Sequence, residues 1–395
     1  MLKVLTVSEV LDIFKNAKEV DNEKVDINNA LGRVLSEDVV SRENLPGFKR
    51  SSVDGYALIS NDTYLCSESM PAMLKNKGSI VIGERPEYSI NEGECVYIPT
   101  GAMLPDGADA VAMIEDCEEL GDEVLVNKPA SRWENVVFED DDVKAGEVVI
   151  KKGTVIEDRH IAVLAGLGVT NINVKRKVKA TVISTGDELI SPYEERQIPK
   201  VRDINGYFLT AALIKDGCDA KYKGISKDNE EELFELVDKS LEESDIVFIS
   251  GGSSAGNRDF TINIMERLGE VLFHGIAIKP GKPTLMAKVG EKFIVGLPGH
   301  PLSCAVVYRF IMSELIDRML GRIRTDNSLI LKMGENYHKA KGREEYLPVK
   351  IEGGFAYPIY AKSSAISVMA KCDGFIKIER DLEGIVNEQE VKIMR

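Results

Sequence analysis

Between residues 180 and 321 the chain exchanges short apolar runs for amphipathic stretches at regular intervals, and few architectures tolerate that pattern. Residues 180–184 and 246–249 are continuous apolar runs of strand length, which need burial on both faces. Residues 230–241 instead repeat their apolar side chains at helical spacing. Asn205 stands where a helix cap is wanted, and Gly217 where that helix would close. Strands alternating with helices predict a doubly wound, mainly parallel α/β sheet with helices on both faces.

The flanking segments read differently. Residues 6–18 form an opening helix, with Thr6 or Ser8 as its cap and Val7, Val10, Leu11 and Phe14 on one face. From 46 to 149, short alternating runs such as 95–97 and 124–126 are separated by Gly, Pro and Asn, which predicts an inserted β-rich domain. Residues 157–167 are a second helix, and the basic strip Lys175-Arg176-Lys177-Val178-Lys179 reads as a solvated linker. Alternation and Gly breaks return after 325. The expected division is a helical linker domain (1–45 with 147–178), a β-rich insertion (46–146), an α/β domain (179–324) and a small C-terminal β domain (325–395).

Charge and cysteine usage exclude several classes. The formal net charge of −15 repels a polyanion, so nucleic acid is not an expected partner. The first residues lack the apolar core of a signal peptide, and no run is long enough to cross a bilayer, which points to the cytoplasm. The six cysteines are scattered with no C-x-x-C pair, so they read as buried or incidental thiols rather than zinc or iron–sulfur ligands.

Chemistry concentrates at the sharp turns. After the apolar run 246–249 comes Gly251, Gly252, Ser253, Ser254 and Gly256, then a helix starting near Asp259. Glycines let the backbone approach a ligand, and N–H groups at a helix start attract anions, so a phosphate site is expected. The same stretch fits G-x-S-x-G, the nucleophile elbow of a serine hydrolase with Ser254 as nucleophile, but the later histidines are poorly placed to complete a triad. Lys279 and Lys282 stand in a proline-stiffened loop that would present ammonium groups in few directions. Gly296-Leu-Pro-Gly-His-Pro301 is a second rigid loop, at the strand end where α/β sheets bind ligands. Asp54, Asp187 and Glu188 supply the oxygen donors that a hard cation prefers.

Taken in order, Arg50-Ser-Ser-Val-Asp-Gly-Tyr-Ala57, Pro99-Thr-Gly-Ala102, Leu104-Pro-Asp-Gly-Ala-Asp-Ala-Val111, Ser184-Thr-Gly-Asp-Glu188, Ser250-Gly-Gly-Ser-Ser-Ala-Gly256 with Asp259, Lys279-Pro-Gly-Lys-Pro283 and Gly296-Leu-Pro-Gly299 resemble the motifs of the molybdopterin molybdenumtransferases. Ser363-Ser-Ala-Ile-Ser367 and Asp373-Gly374 extend the likeness to the end of the chain. The resemblance implies a multidomain protein whose α/β domain is like the molybdopterin-adenylylating proteins, with a C-terminal β-barrel-like domain, assembled as a homodimer. It implies an enzyme that, with Mg2+, cleaves adenylylated molybdopterin, places molybdate on the dithiolene and releases AMP. By motif position it implies functional roles for Asp54, Thr100, Asp142, Glu188 and Asp259, with Glu188 and Asp259 as cation ligands. Lys279, Lys282, Pro298, His300 and Pro301 would bind anions or shape the pocket, and sites would be completed across the dimer. The resemblance leaves room for contact with the molybdopterin adenylyltransferase. The chain departs from the family at His300, where Asn is common, and in the acidic Val137-Phe-Glu-Asp-Asp before Asp142. A non-catalytic pterin carrier and a nucleotide-pyrophosphate hydrolase are the rival readings.

Overall fold

The computed structural model of the chain describes residues 4–251 and 258–395, except for the side chains of Arg258 and Asp259. It divides into two compact units: Asp38–Lys151 with Ala162–Thr170, and Met1–Glu37 with Lys152–Ile161 and Asn171–Arg395.

The larger unit opens with α1 (Val7–Phe14). Thr6 caps it reciprocally: its hydroxyl accepts from the Glu9 N–H at 3.3 Å, and the Glu9 carboxylate accepts from the Thr6 N–H at 2.7 Å. A helix of 8 residues is too short to persist alone in water. Burial of Val7, Val10 and Phe14 holds it, each contributing about 1.5–3 kcal/mol. It stops before the expected end because the run from Lys15 to Lys18 offers almost nothing more to bury. The N-terminal segment is only partly helical, since Asn22–Asp26 pairs antiparallel with Asn171–Lys175.

The basic strip is not a solvated linker. Lys175 is 7% exposed, with its ammonium 2.8 Å from the Glu19 carboxylate. The Arg176 guanidinium grips Asp245 bidentately at 2.7 and 2.8 Å, and the Lys179 N–H donates to the same carboxylate at 2.8 Å. The strip therefore ties two strand starts together, and its partners lie too far off in sequence for a charge run to reveal them.

The α/β core is a six-stranded sheet of β1 (Lys179–Thr185), β2 (Asp219–Ser226), β3 (Ile246–Gly251), β4 (Glu270–His274), β5 (Leu285–Val289) and β6 (Lys292–Leu297), in the order β2-β1-β3-β6-β5-β4. The first four in that order run parallel, and β5 and β4 add an antiparallel edge. One face packs on α1, α2 (Asn205–Lys215), α5 (Pro301–Val307) and α6 (Ser313–Leu320), with a π-helical turn, Tyr308–Met312, between the last two. The other face packs on α3 (Glu230–Glu243) and α4 (Arg258–Leu268) through Leu233, Val237, Ile264 and Met265. Two-sided burial explains the continuous apolar runs of β1 and β3. Gly217, with φ +87°, closes α2 as expected. Asn205 does not cap that helix. Ile204 holds the cap position with no side-chain bond, and Asn205 lies inside the first turn with its amide turned elsewhere.

The C-terminal strands β7 (Leu329–Met333), β8 (Glu344–Glu352), β9 (Phe355–Pro358), β10 (Gly374–Ile378) and β11 (Glu390–Met394) run β8-β9-β7-β11-β10 and return to β8, a closed barrel. Met333, Leu347, Val349, Ile376, Ile378 and Ile393 fill it.

The smaller unit is built on a six-stranded sheet ordered Ala110–Met113, Gly55–Leu58, Glu94–Ile98, Ala72–Ser79, Glu123–Val126, Cys117–Leu120. Tyr56, Leu58, Cys95 and Val124 pack in one cluster, while Ala57, Val96, Ile98 and Val111 pack in another, the alternation a two-faced sheet requires. Burial pushes the thiols of Cys95, Cys117 and Cys218 up to about 12, so they remain protonated. Among the described residues no helix is long and apolar enough to cross a membrane.

Candidate functional site

Within the larger unit, the stiff lysine loop is fixed to the barrel by backbone pairing. Ile278–Lys279 runs parallel to the start of β8, with Lys279 opposite Glu345. That register brings the Lys279 ammonium 2.8 Å from the Glu345 carboxylate, which also accepts from the Tyr337 hydroxyl at 2.7 Å. Glu345 is 5% exposed, and a buried carboxylate needs both partners. Lys279 is thus held in a fixed orientation by Glu345, whereas Lys282 has no such partner among the described residues.

Around this contact lies a cavity of about 880 Å³. Its charged lining comprises Lys279, Lys282, Arg343 and Lys362 against one carboxylate, Glu345, with His300 on the rim. Lys282, Arg343 and Lys362 are exposed, and none has an ion-pair partner among the described residues. A molecule whose net charge is −15 therefore keeps here a concave, cationic place for an anion. The second rigid loop forms another wall. Pro301 starts α5 at the position where a missing N–H costs nothing, and Pro298 also lines the cavity. His300 Nδ1 lies 2.9 Å from the Ser363 hydroxyl, and the Leu302 N–H donates to the Ser363 carbonyl at 3.1 Å. Arg343, Glu345 and Lys362 escaped the sequence reading because they act through pairing between α/β domain and barrel; only the neighbouring Ser363-Ser364 signalled that stretch.

The strand ends of the α/β sheet gather carboxylates. The Thr185 hydroxyl donates to Asp228 at 3.1 Å, and Asp187 and Asp228 exchange backbone N–H bonds at 3.4 and 3.3 Å. Glu188 is exposed beside them. Gly186 has φ +152°, a backbone conformation that favours glycine at this turn. At the end of β3, Gly251 has φ +120° and a Cβ would meet the Thr185 carbonyl at 1.9 Å. Asp203, 5% exposed, accepts from the Ser184 hydroxyl at 2.8 Å and from the Gly206 N–H at 3.1 Å. The Asn205 amide donates to the Ser250 hydroxyl at 2.8 Å and to the Gly299 carbonyl at 2.9 Å, joining two loops. Its Oδ1 is buried without a partner among the described residues.

Asp228, Asp203 and Asn205 were not among the expected site residues. The one local signal was Asp228, a polar residue just after the β2 strand. Gly252, Ser253, Ser254 and Gly256 lie outside the described residues, as does the Asp259 side chain, so the nucleophile-elbow reading falls there too; the Asp259 backbone begins α4. Among the described residues no three His, Cys, Asp or Glu side chains converge as a metal site would require. The carboxylates present suit a hard ion that takes one or two protein oxygens and fills its shell with water and substrate.

In the smaller unit, two expected residues from separate motifs meet. Asp54 Oδ1 accepts both the backbone N–H of Thr100 at 2.7 Å and its hydroxyl at 2.9 Å. The N–H first, then the hydroxyl, hold the Asp54 carboxyl below its usual range. Asp141 accepts from the Phe138 N–H at 2.7 Å and so closes its own turn, whereas the exposed Asp142 carboxylate makes no such bond.

Residues 5–168 match the family described as the MoeA N-terminal region, domains I and II; residues 181–318 match a molybdopterin binding domain; residues 331–395 match the MoeA C-terminal region, domain IV. The chain is 36% identical over 387 residues to a molybdopterin biosynthesis protein of Methanocaldococcus jannaschii, covering 95% of this chain and 92% of that one. It is 30% identical over 377 residues to a molybdopterin molybdenumtransferase of Staphylococcus aureus, covering 94% and 90%. The crystal structure of a molybdopterin biosynthesis MoeA protein from Pyrococcus horikosii superposes with a TM-score of 0.87 at 37% identity, covering 99% of both chains.

Proposed function

The chain belongs to the MoeA family of molybdopterin molybdenumtransferases, and from that premise we propose that it inserts molybdate into the dithiolene of adenylylated molybdopterin and releases AMP. The observation that carries this reading is the cationic cavity between lysine loop and barrel. Lys282, Arg343 and Lys362 have donors to spare for an oxyanion, and a guanidinium with two ammonium groups suits molybdate or a pterin phosphate. Glu345 and Tyr337 orient Lys279, so its charge faces a bound anion from a fixed direction. His300 presents an imidazole already engaged by Ser363.

A water oxygen attacks the phosphoanhydride, its bridging P–O bond breaks and a proton passes to solvent, so that AMP leaves and the other phosphate stays on the pterin. Mg2+ would supply positive charge that neutralises the phosphate oxygens as the anhydride bond breaks. Glu188 and Asp259 are the proposed ligands. In this reading Asp54, Thr100 and Asp142 also take part in the reaction, with Asp54 kept ionised by Thr100. Gly251, Gly252, Ser253, Ser254 and Gly256 would offer backbone N–H groups to phosphate, and Pro298 and Pro301 would keep the cavity wall rigid. A homodimer in the cytoplasm, divided as 1–45 with 147–178, 46–146, 179–324 and 325–395, completes the proposal.

The cavity's role is tested by titrating molybdate into the parent protein and into Lys282→Ala and Arg343→Ala chains. Each substitution should weaken binding about tenfold at low salt, and the difference should shrink as ionic strength rises. Unchanged affinity in both variants at low salt would contradict the clamp.

A further inference from the structure

A second cavity, of about 700 Å³, opens on the other side of the barrel contact, between α2, the π-helical turn and strands β8 and β11. Nothing in the proposed reaction uses it. It shares the wall residue Tyr346 with the first cavity, and Phe208, Tyr308 and Phe310 add aromatic rings to its walls. Phe310 is half-buried and stacks on Tyr346 with ring centroids 4.8 Å apart and planes 19° from parallel. Phe208 meets Tyr308 edge-on at 6.3 Å. The π-helical turn Tyr308–Met312 supplies three of these lining residues, Tyr308, Arg309 and Phe310. Such wide turns are uncommon and recur at functional sites.

Charge separates this cavity from an ordinary crevice. Its acids Asp216 and Asp326 are already engaged: Asp216 accepts from the Tyr308 hydroxyl at 2.7 Å, and Asp326 pairs with Lys392 at 2.5 Å. Arg324 is held by Asp317 at 2.6 Å. Lys215, Arg309 and Arg395 have no ion-pair partner among the described residues, and Glu314 is the one lining acid left uncommitted. The half-buried rings of Phe208 and Phe310 beside an uncommitted guanidinium and ammonium are the donor set for a planar ring that carries a phosphate.

We propose that this cavity is a binding site for a planar heteroaromatic phosphate ester, with Arg309 and Lys215 on the phosphate and Phe310 against the ring. The ligand could be a nucleotide or a pterin phosphate, which share this chemistry. Because the lysine-loop cavity also attracts anions, the test uses full-length protein carrying Lys282→Ala. AMP, a pterin phosphate and inorganic phosphate are titrated separately by calorimetry, and the tighter of the two ring ligands identifies the source. Adding Arg309→Ala, an exposed position that does not threaten folding, should weaken a ring ligand at least roughly tenfold, and Arg309→Lys should restore part of the loss. Adding Phe310→Leu should weaken the ring ligand and leave inorganic phosphate unchanged. If the Lys282→Ala protein binds neither ring ligand, or if Arg309→Ala leaves their affinity unmoved, the proposal is overturned. Neither outcome depends on molybdate binding at Lys282, so the two sites stand or fall separately.

Discussion

At the scale of single residues, the two hydrogen bonds from Thr100 to Asp54 carry a pH prediction. Both donors stabilise the ionised carboxylate, so removing one lets its pKa rise toward the ordinary aspartate value. Thr100→Val removes the hydroxyl and keeps the N–H. The acid limb of the rate profile should therefore move to higher pH, and a limb that stays in place would remove Asp54 from the ionisation that limits the rate. Glu345→Gln keeps an acceptor for Tyr337 but deletes the cavity's one lining carboxylate. Molybdate should then bind more tightly while turnover falls, because Lys279 loses its orientation. A parallel drop in both would mean that Glu345 is merely structural. The sequence displayed Asp54, Thr100, Lys279 and Lys282 within recognisable turns, but it could not show that Thr100 binds Asp54 or that Glu345 holds Lys279. Those contacts join segments far apart in the chain, and only strand register decides them.

At the scale of elements, the strand–helix alternation was legible because it follows from periodicity: β1, β3 and α3 occupy the runs that two-sided burial and helical spacing demand. The basic strip was misread for the converse reason, since a charge run looks solvated until its acids are brought to it. That correction has a measurable consequence. Burial works to raise the Asp245 carboxyl, and the Arg176 guanidinium with the Lys179 N–H more than offsets it, leaving the group below its usual range. A depressed carboxylate pKa contributes stability that is complete above the unfolded value, about 3.9, and is lost as pH falls through the folded one. Arg176→Ala should cost about 1–3 kcal/mol near neutral pH, and less once acid protonates Asp245. Urea midpoints measured from pH 7 down to acid check this, and a cost independent of pH would contradict it.

At the scale of the whole molecule, the central fact is a strongly acidic chain that keeps a cationic cavity where its α/β sheet meets the C-terminal barrel. The barrel's closure was only partly legible: alternation announced strands, but nothing local revealed that β10 returns to β8. The account stands on what the cavity and the neighbouring carboxylates do together. The direct measurement is AMP release from adenylylated molybdopterin with Mg2+, with and without molybdate, in the parent protein and in Lys282→Ala. Release that requires molybdate, and that falls at least roughly tenfold in Lys282→Ala, is the predicted result. AMP released equally well without molybdate, and unaffected by losing Lys282, would make the chain a pyrophosphate hydrolase and contradict the transferase account.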